Sequence, residues 1–258
     1  AMGVTIDNIH FRNFHSTSSS EGSSSLFCLG RNNTLSLSNV TIDSISSNRS
    51  PLVGMARDAS FNADNCKISN ITQKSSNYAI IETVSYGNQT ISFRNSELTG
   101  WKTESTGDNV FMFKIEDDNS QLSLDNSIIR NCRTGKAIIG SANNTSTIIL
   151  QNNLFENNTV YANLANRGGL IFVATNFGQV VVSNCRFTAN NSSTSTTLGL
   201  FYILAGQNME ISRSTFTGNS GINNLITRNG ATITAYNNTF SGNQVNNHAF
   251  LDNTTTNG

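Results

Sequence analysis

Charge is scarce in this sequence. Only 12% of its residues are Asp, Glu, Lys or Arg, 16 basic and 16 acidic, for a formal net charge of +0. That balance leaves no electrostatic footprint for nucleic acid or an anionic membrane surface. Proline is nearly missing, at 1 in 258 residues, and 19 Gly are few for a chain that must turn often. The turns therefore fall to Asn, the residue most at ease after Gly in the left-handed region. No apolar run approaches the ~18 residues of a membrane span, Leu200–Ala205 being among the longest. The 4 Cys include no CxxC, and the 3 His are scattered, so no metal site and no cofactor is expected.

Amides and hydroxyls are abundant instead: 40 Asn, 34 Ser and 28 Thr. They are arranged in a repeat, seen most cleanly as Val180-Val-Val-Ser-Asn184-Cys-Arg-Phe187. An apolar anchor closes each copy, at Phe11, Ile42, Ile68, Leu98, Ile129, Phe155, Phe187, Phe216 and Phe240, with steps of 24 to 32 residues. Seven and five residues before each anchor all eighteen side chains are apolar, and the residues between and after them are mostly polar. Alternation of this kind marks a strand with one face buried. Three residues before the anchor stand Asn8, Asn39, Asn65, Asn95, Asn126, Asn152, Asn184 and Asn237, with Arg213 the single exception. An Asn between two short strands in every copy predicts a turn, and its amide can pair with those of the coils above and below.

A third apolar segment precedes each copy, for example Leu26–Leu29, Val110–Phe113 and Leu170–Val173. Three strands and three turns per repeat, at a period of 20 to 50 residues, predict a stacked coil. Helical arrays fail for want of a 3.6-residue period, and propellers for want of a blade signature. The expected fold is all-β: a right-handed parallel β-helix of about nine coils with an Asn ladder at one turn. A single domain over 1–258 is expected, with 1–3 read as a tag remnant and the whole as a section of a longer coil. Cys66 and Cys185 share a repeat position but lie four coils apart, ~19 Å at ~4.8 Å per coil, so four free and mostly buried thiols are expected.

Candidate chemistry is confined to one window. Lys114, Asp117, Asp118 and Arg130 stand near one another in sequence, and paired carboxylates there could bind a cation or act as acid and base on a polysaccharide. A solvated charged turn explains the same residues. Beyond Glu156 the only acids are Glu210 and Asp252, so no catalytic groove continues along the rod. Candidate contacts are the outward apolar pair Ile149 and Val181, together with Tyr161, Asn163 and Arg167 in the long connection Thr159–Gly169. The connection His15–Ser25 is a second long loop.

The second half carries a tighter motif: Phe155-Glu-Asn-Asn158, Phe187-Thr-Ala-Asn190, Phe216-Thr-Gly-Asn219 and Phe240-Ser-Gly-Asn243. With Gly168-Gly169-Leu170-Ile171, this resembles the repeat of the polymorphic outer-membrane-protein family, most closely over residues 150–250. The first five coils depart from it, with Phe14, Ile45, Ile71, Trp101 and Cys132 in place of the second Asn. Phe155, Phe187, Phe216 and Phe240 are expected to stack in the core, beside a second amide ladder. The resemblance implies a non-enzymatic adhesion module, extracellular or on the cell surface. Its partners would be a surface protein or glycan of a host or neighbouring cell, and the rest of its own chain at both ends. The alternatives are a polysaccharide lyase or hydrolase, a carbohydrate-binding module, and a plain stalk spacer.

Overall fold

The structure, a computed structural model, describes residues 2–18, 25–75, 78–83, 87–104, 110–115, 118–141, 145–161, 169–173, 178–192, 199–203 and 208–252. It is an all-β parallel solenoid. Among the described residues every strand pairing is parallel, and three sheets run the length of the rod. The first sheet stacks nine strands, from Met2–Asp7 to Thr232–Tyr236, which are the alternating segments of the repeat. The third sheet also stacks nine, from Phe27–Leu29 to Val245–Asp252. The second sheet holds the anchors.

Register follows the repeat residue for residue. Phe155 pairs with Phe187 and Phe187 with Phe216, while Leu150 pairs with Val182 and Val182 with Ile211. A slip by one would turn every apolar side chain outward, so burial itself fixes the stacking. The core is a continuous column; Phe61, Phe93, Phe113, Phe155, Phe187 and Phe216 are fully buried. In the later coils Phe155, Phe187, Phe216 and Phe240 lie nearly parallel, with ring centroids 4.7 to 4.9 Å apart. That spacing is the separation of neighbouring strands, so offset stacking needs no distortion of the ladder.

Two corners of the coil are made by left-handed residues in all nine copies. Three residues before the anchor, the eight Asn and Arg213 have φ from 46° to 59°. Two residues after it, Asn13, Ser44, Asn70, Gly100, Asn131, Asn157, Ala189, Gly218 and Gly242 do the same work, with φ from 52° to 65°. The second corner is not conspicuous in the sequence, because four residue types share it. Beyond it the chain continues as a short strand such as Arg133–Thr134, Thr159–Val160 or Asn191–Ser192, where a loop to the next coil was expected. Asn32, Asp58, Asn88 and Asn119, with φ from 57° to 60°, mark the third corner in four coils. Side-chain amides or carboxylates at these corners supply the local hydrogen bonds that make the conformation affordable without glycine.

Candidate functional site

The first corner shapes the surface. There the first and second sheets meet at an angle, and the exposed Asn residues border a groove of about 850 Å³ that crosses many coils. Its lining includes Asn65, Asn95, Asn126, Asn152 and Asn184 at the corner, with Lys67, Glu97, Ile128, Leu154 and Arg186 on the outward face of the second sheet. The strand alternation places these last five in one column, Lys67–Glu97–Ile128–Leu154–Arg186, as consecutive register partners. The groove therefore runs along the rod and across the strands.

The corner column is a mixed ladder. Asn65 donates from Nδ2 to Oδ1 of Asn39 at 2.6 Å, Asn126 to Asn95 at 2.8 Å and Asn184 to Asn152 at 2.7 Å. The intervening rungs go to carboxylates instead. Asn39 donates to Asp7 at 2.9 Å, Asn95 to Asp64 at 2.9 Å and Asn152 to Asp125 at 3.0 Å. An ionised carboxylate is the stronger acceptor, so the aspartate that precedes the corner captures the amide. The expected pairing of amides between coils is thus found at these three rungs, while the three between them go to aspartates, and Arg213 stands in the column before its last member. The Arg94 side chain, and then Asn95, hold the Asp64 carboxyl below its ordinary range, against the opposing effect of partial burial.

The unbroken ladder lies inside. Asn158 donates from Nδ2 to Oδ1 of Asn190 at 2.9 Å, Asn190 to Asn219 at 3.0 Å and Asn219 to Asn243 at 2.8 Å. The second amide hydrogen of each goes to the anchor carbonyl one coil back: Ile129, Phe155, Phe187 and Phe216. Earlier coils fill the same inward position with Ile45, Ile71, Trp101 and Cys132, all buried. Cys132 is the junction, its backbone N–H donating to Asn158 Oδ1 at 3.0 Å. The Trp101 indole N–H donates to the Ile68 carbonyl at 3.0 Å, as a buried indole must.

The charged window does not assemble among the described residues. Lys114 belongs to the third sheet and is buried, with Nζ 3.1 Å from Oε1 of Glu82 on the neighbouring strand. The Ser50 hydroxyl donates to the other Glu82 oxygen at 3.0 Å. Arg130 lies on the second sheet and pairs with Glu97, while its Nε donates to Thr99 Oγ1 at 3.3 Å. Asp118 is exposed in the turn before Gln121–Asp125, and Asp117 lies outside the described residues. Glu82 went unnoticed in the sequence. Alignment of the third apolar segments would have found it, since Glu82 and Lys114 are register partners 32 residues apart.

The contact candidates divide likewise. Ile149 and Val181 are register partners and half-buried on the outward face of the first sheet. Tyr161, expected in a contact loop, is buried instead: its hydroxyl donates to the Thr103 carbonyl, and the Arg133 guanidinium sits 4.4 Å from its ring centroid. Asn163 and Arg167 lie outside the described residues. All four cysteines are free; Cys28 is exposed and Cys66, Cys132 and Cys185 are buried. Among the described residues no group of three or more His, Cys, Asp or Glu could hold a metal ion. No helix is long and apolar enough to cross a membrane.

No family model matches the chain, and no curated protein matches it. Among solved structures, it is similar to PfbA, a surface adhesin of Streptococcus pneumoniae, with a TM-score of 0.46 and 12% identity. The match covers 96% of this chain and 72% of that one.

Proposed function

We propose that this chain is a non-enzymatic adhesion module, extracellular or on the cell surface, that holds an extended ligand along its amide-lined corner. The observation that carries the reading is the groove of about 850 Å³ bordered by Asn from successive coils. A stiff scaffold that repeats one set of donors and acceptors every ~4.8 Å favours a ligand that is itself long and repetitive. Weak contacts made in series on one molecule add up to firm attachment without any single deep pocket. Ile128 and Leu154, half-buried side by side in the groove, supply an apolar shelf among the amides. The Phe-x-x-Asn likeness to the polymorphic outer-membrane proteins belongs to this same reading, as does a partner on a host or neighbouring cell.

The test is adhesion of beads coated with the chain to cultured cells and to immobilised matrix components. The double variant Ile128→Ser/Leu154→Ser removes the shelf at two outward positions and leaves the core intact. It should adhere at least several-fold less than the parent chain. Equal adhesion by both, or none by either, would refute the reading.

A further inference from the structure

We propose that the groove takes a linear glycan bearing carboxylate or sulfate groups, and that Arg186 and Arg213 form its anion-binding end; this rests on the adhesion reading above. Arg186, Arg213 and Lys67 all line the groove. Among the described residues none of the three makes an ion pair, whereas the acids nearby are engaged. Glu97 is held by Arg130 and Asp64 by Arg94, while Asp125 accepts from the neutral Asn152 amide and keeps its charge. Lys67, Arg186 and Arg213 thus outnumber that one carboxylate, and the uncompensated charge of the groove is positive.

Arg213 adds a separate argument. It occupies the corner position that Asn holds in the other eight coils, and it does so at φ 48°. A side chain unsuited to the left-handed region costs about 1 kcal/mol there. A strained residue that persists where a relaxed one is available points to a function. What Arg213 adds at that corner, and Asn cannot, is a guanidinium at the groove wall, one coil beyond Arg186.

The neighbouring surface fits a sugar. Leu154 is the register partner of Arg186 and Ile128 of Leu154, so an apolar shelf two coils long abuts the cationic end. The C–H face of a pyranose can lie on such a shelf while Asn126, Asn152 and Asn184 meet its hydroxyls, each amide offering both a donor and an acceptor. An acidic peptide is disfavoured by the same geometry. Extended peptides gain affinity by adding a strand to a free sheet edge. Here the groove crosses strands whose backbone groups already pair with the coils on either side.

The experiment is calorimetric titration of the whole chain with four probes at fixed ionic strength. They are a hexuronate-containing oligosaccharide, its carboxyl-reduced form, a sulfated neutral oligosaccharide and poly-glutamate peptide. Binding of either acidic glycan, with the carboxyl-reduced form at least tenfold weaker, is the expected result, and comparison of the two shows which anion is read. Arg213→Asn should weaken acidic-glycan binding by roughly tenfold, the worth of one charge-assisted hydrogen bond. It should at the same time raise the urea midpoint, a pairing of effects that a purely structural Arg213 would not give. Binding of both acidic glycans no tighter than that of the carboxyl-reduced form overturns the proposal yet leaves adhesion standing, since the cell-binding assay reads adhesion independently. Poly-glutamate binding as tightly as the glycans, or no glycan binding at all, overturns it too.

Discussion

Asn190→Ala separates the inner ladder from the apolar stack beside it. The Asn190 side chain makes four hydrogen bonds. Its Oδ1 accepts from the Asn158 amide at 2.9 Å and from the Asn158 backbone N–H at 3.1 Å. Its Nδ2 donates to Asn219 Oδ1 at 3.0 Å and to the Phe155 carbonyl at 2.9 Å. Truncation leaves the Asn158 backbone N–H without its partner beside a residue only 1% exposed, and removes the amide rungs to Asn158 and Asn219, whereas the Phe155 carbonyl keeps its place in the sheet ladder. An orphaned buried polar group costs about 1–3 kcal/mol and each lost rung about 0.5–1.5 kcal/mol, so together they cost about 2–6 kcal/mol. With a urea m-value of roughly 3 kcal/mol/M, the midpoint should fall by about 0.7–2 M at constant slope. The control is Asn184→Gly at the outer corner, where φ is 53° and the surface wet. Glycine accepts that conformation freely, so the loss should stay near about 1 kcal/mol. Equal midpoint shifts for the two variants would refute the reasoning, because burial would then have made no difference to the worth of an amide rung.

Other expectations follow from the same coordinates. Ala189 has φ 53° at the second corner, where Asn157 donates to Asn131 at 2.7 Å in the preceding coils; Ala189→Asn should raise stability by about 1 kcal/mol in urea melts. A Cβ on Gly140 would meet the Phe111 ring at 2.1 Å, so Gly140→Ala should destabilise by about 1–3 kcal/mol, and Phe111→Ala should mask most of that loss in a double-mutant cycle. Lys114→Met removes one partner of the buried Lys114–Glu82 pair and should cost about 3–5 kcal/mol, with much of it recovered in Lys114→Met/Glu82→Met. Burial pushes the Cys132 thiol up to about 12 and that of Cys185 up to about 11. A disulfide reagent near neutral pH should therefore label Cys28 in the native chain and all four thiols only in denaturant. Asp64, held low chiefly by Arg94, lends stability that is present above its ordinary value of 3.8 and lost as pH falls through the lowered one. Arg94→Gln should accordingly flatten the acid limb of the stability profile, which urea melts at stepped pH would show.

The stacking of the rod was legible because burial repeats with the chain. Val180, Val182 and Phe187 advertise an inner face by alternation alone, and the structure buries all three. The Phe155–Phe240 column was readable for the same reason, since one residue type at one position leaves one way to stack. The second corner was hidden by its tolerance: Asn157, Ala189 and Gly218 do the same conformational work with no common chemistry. The outer ladder was only half legible, because Asp64 and Asp125 compete for amides from one residue earlier, a contest of acceptor strength that spacing does not encode. Lys114 was assigned to the wrong company because nearness in sequence says little in a solenoid. Its true neighbour stands a full coil away at Glu82, and Arg130 likewise finds Glu97 and not Asp118.

The two amide columns point opposite ways. At the outer corner each Asn donates toward the lower-numbered coil, as Asn184 does to Asn152, whereas inside each donates toward the higher, as Asn190 does to Asn219. An aligned pair of amides is two dipoles laid head to tail, and the columns run side by side where Asn152 and Asn184 flank Asn158 and Asn190, so there the two pairs oppose each other's axial field. Each file also imposes a direction, for an amide turned end over end would face its neighbour donor to donor. Inside, the sense of the Asn158 rung is in that way handed along to Asn219, whereas at the outer corner each aspartate ends the relay after one amide pair.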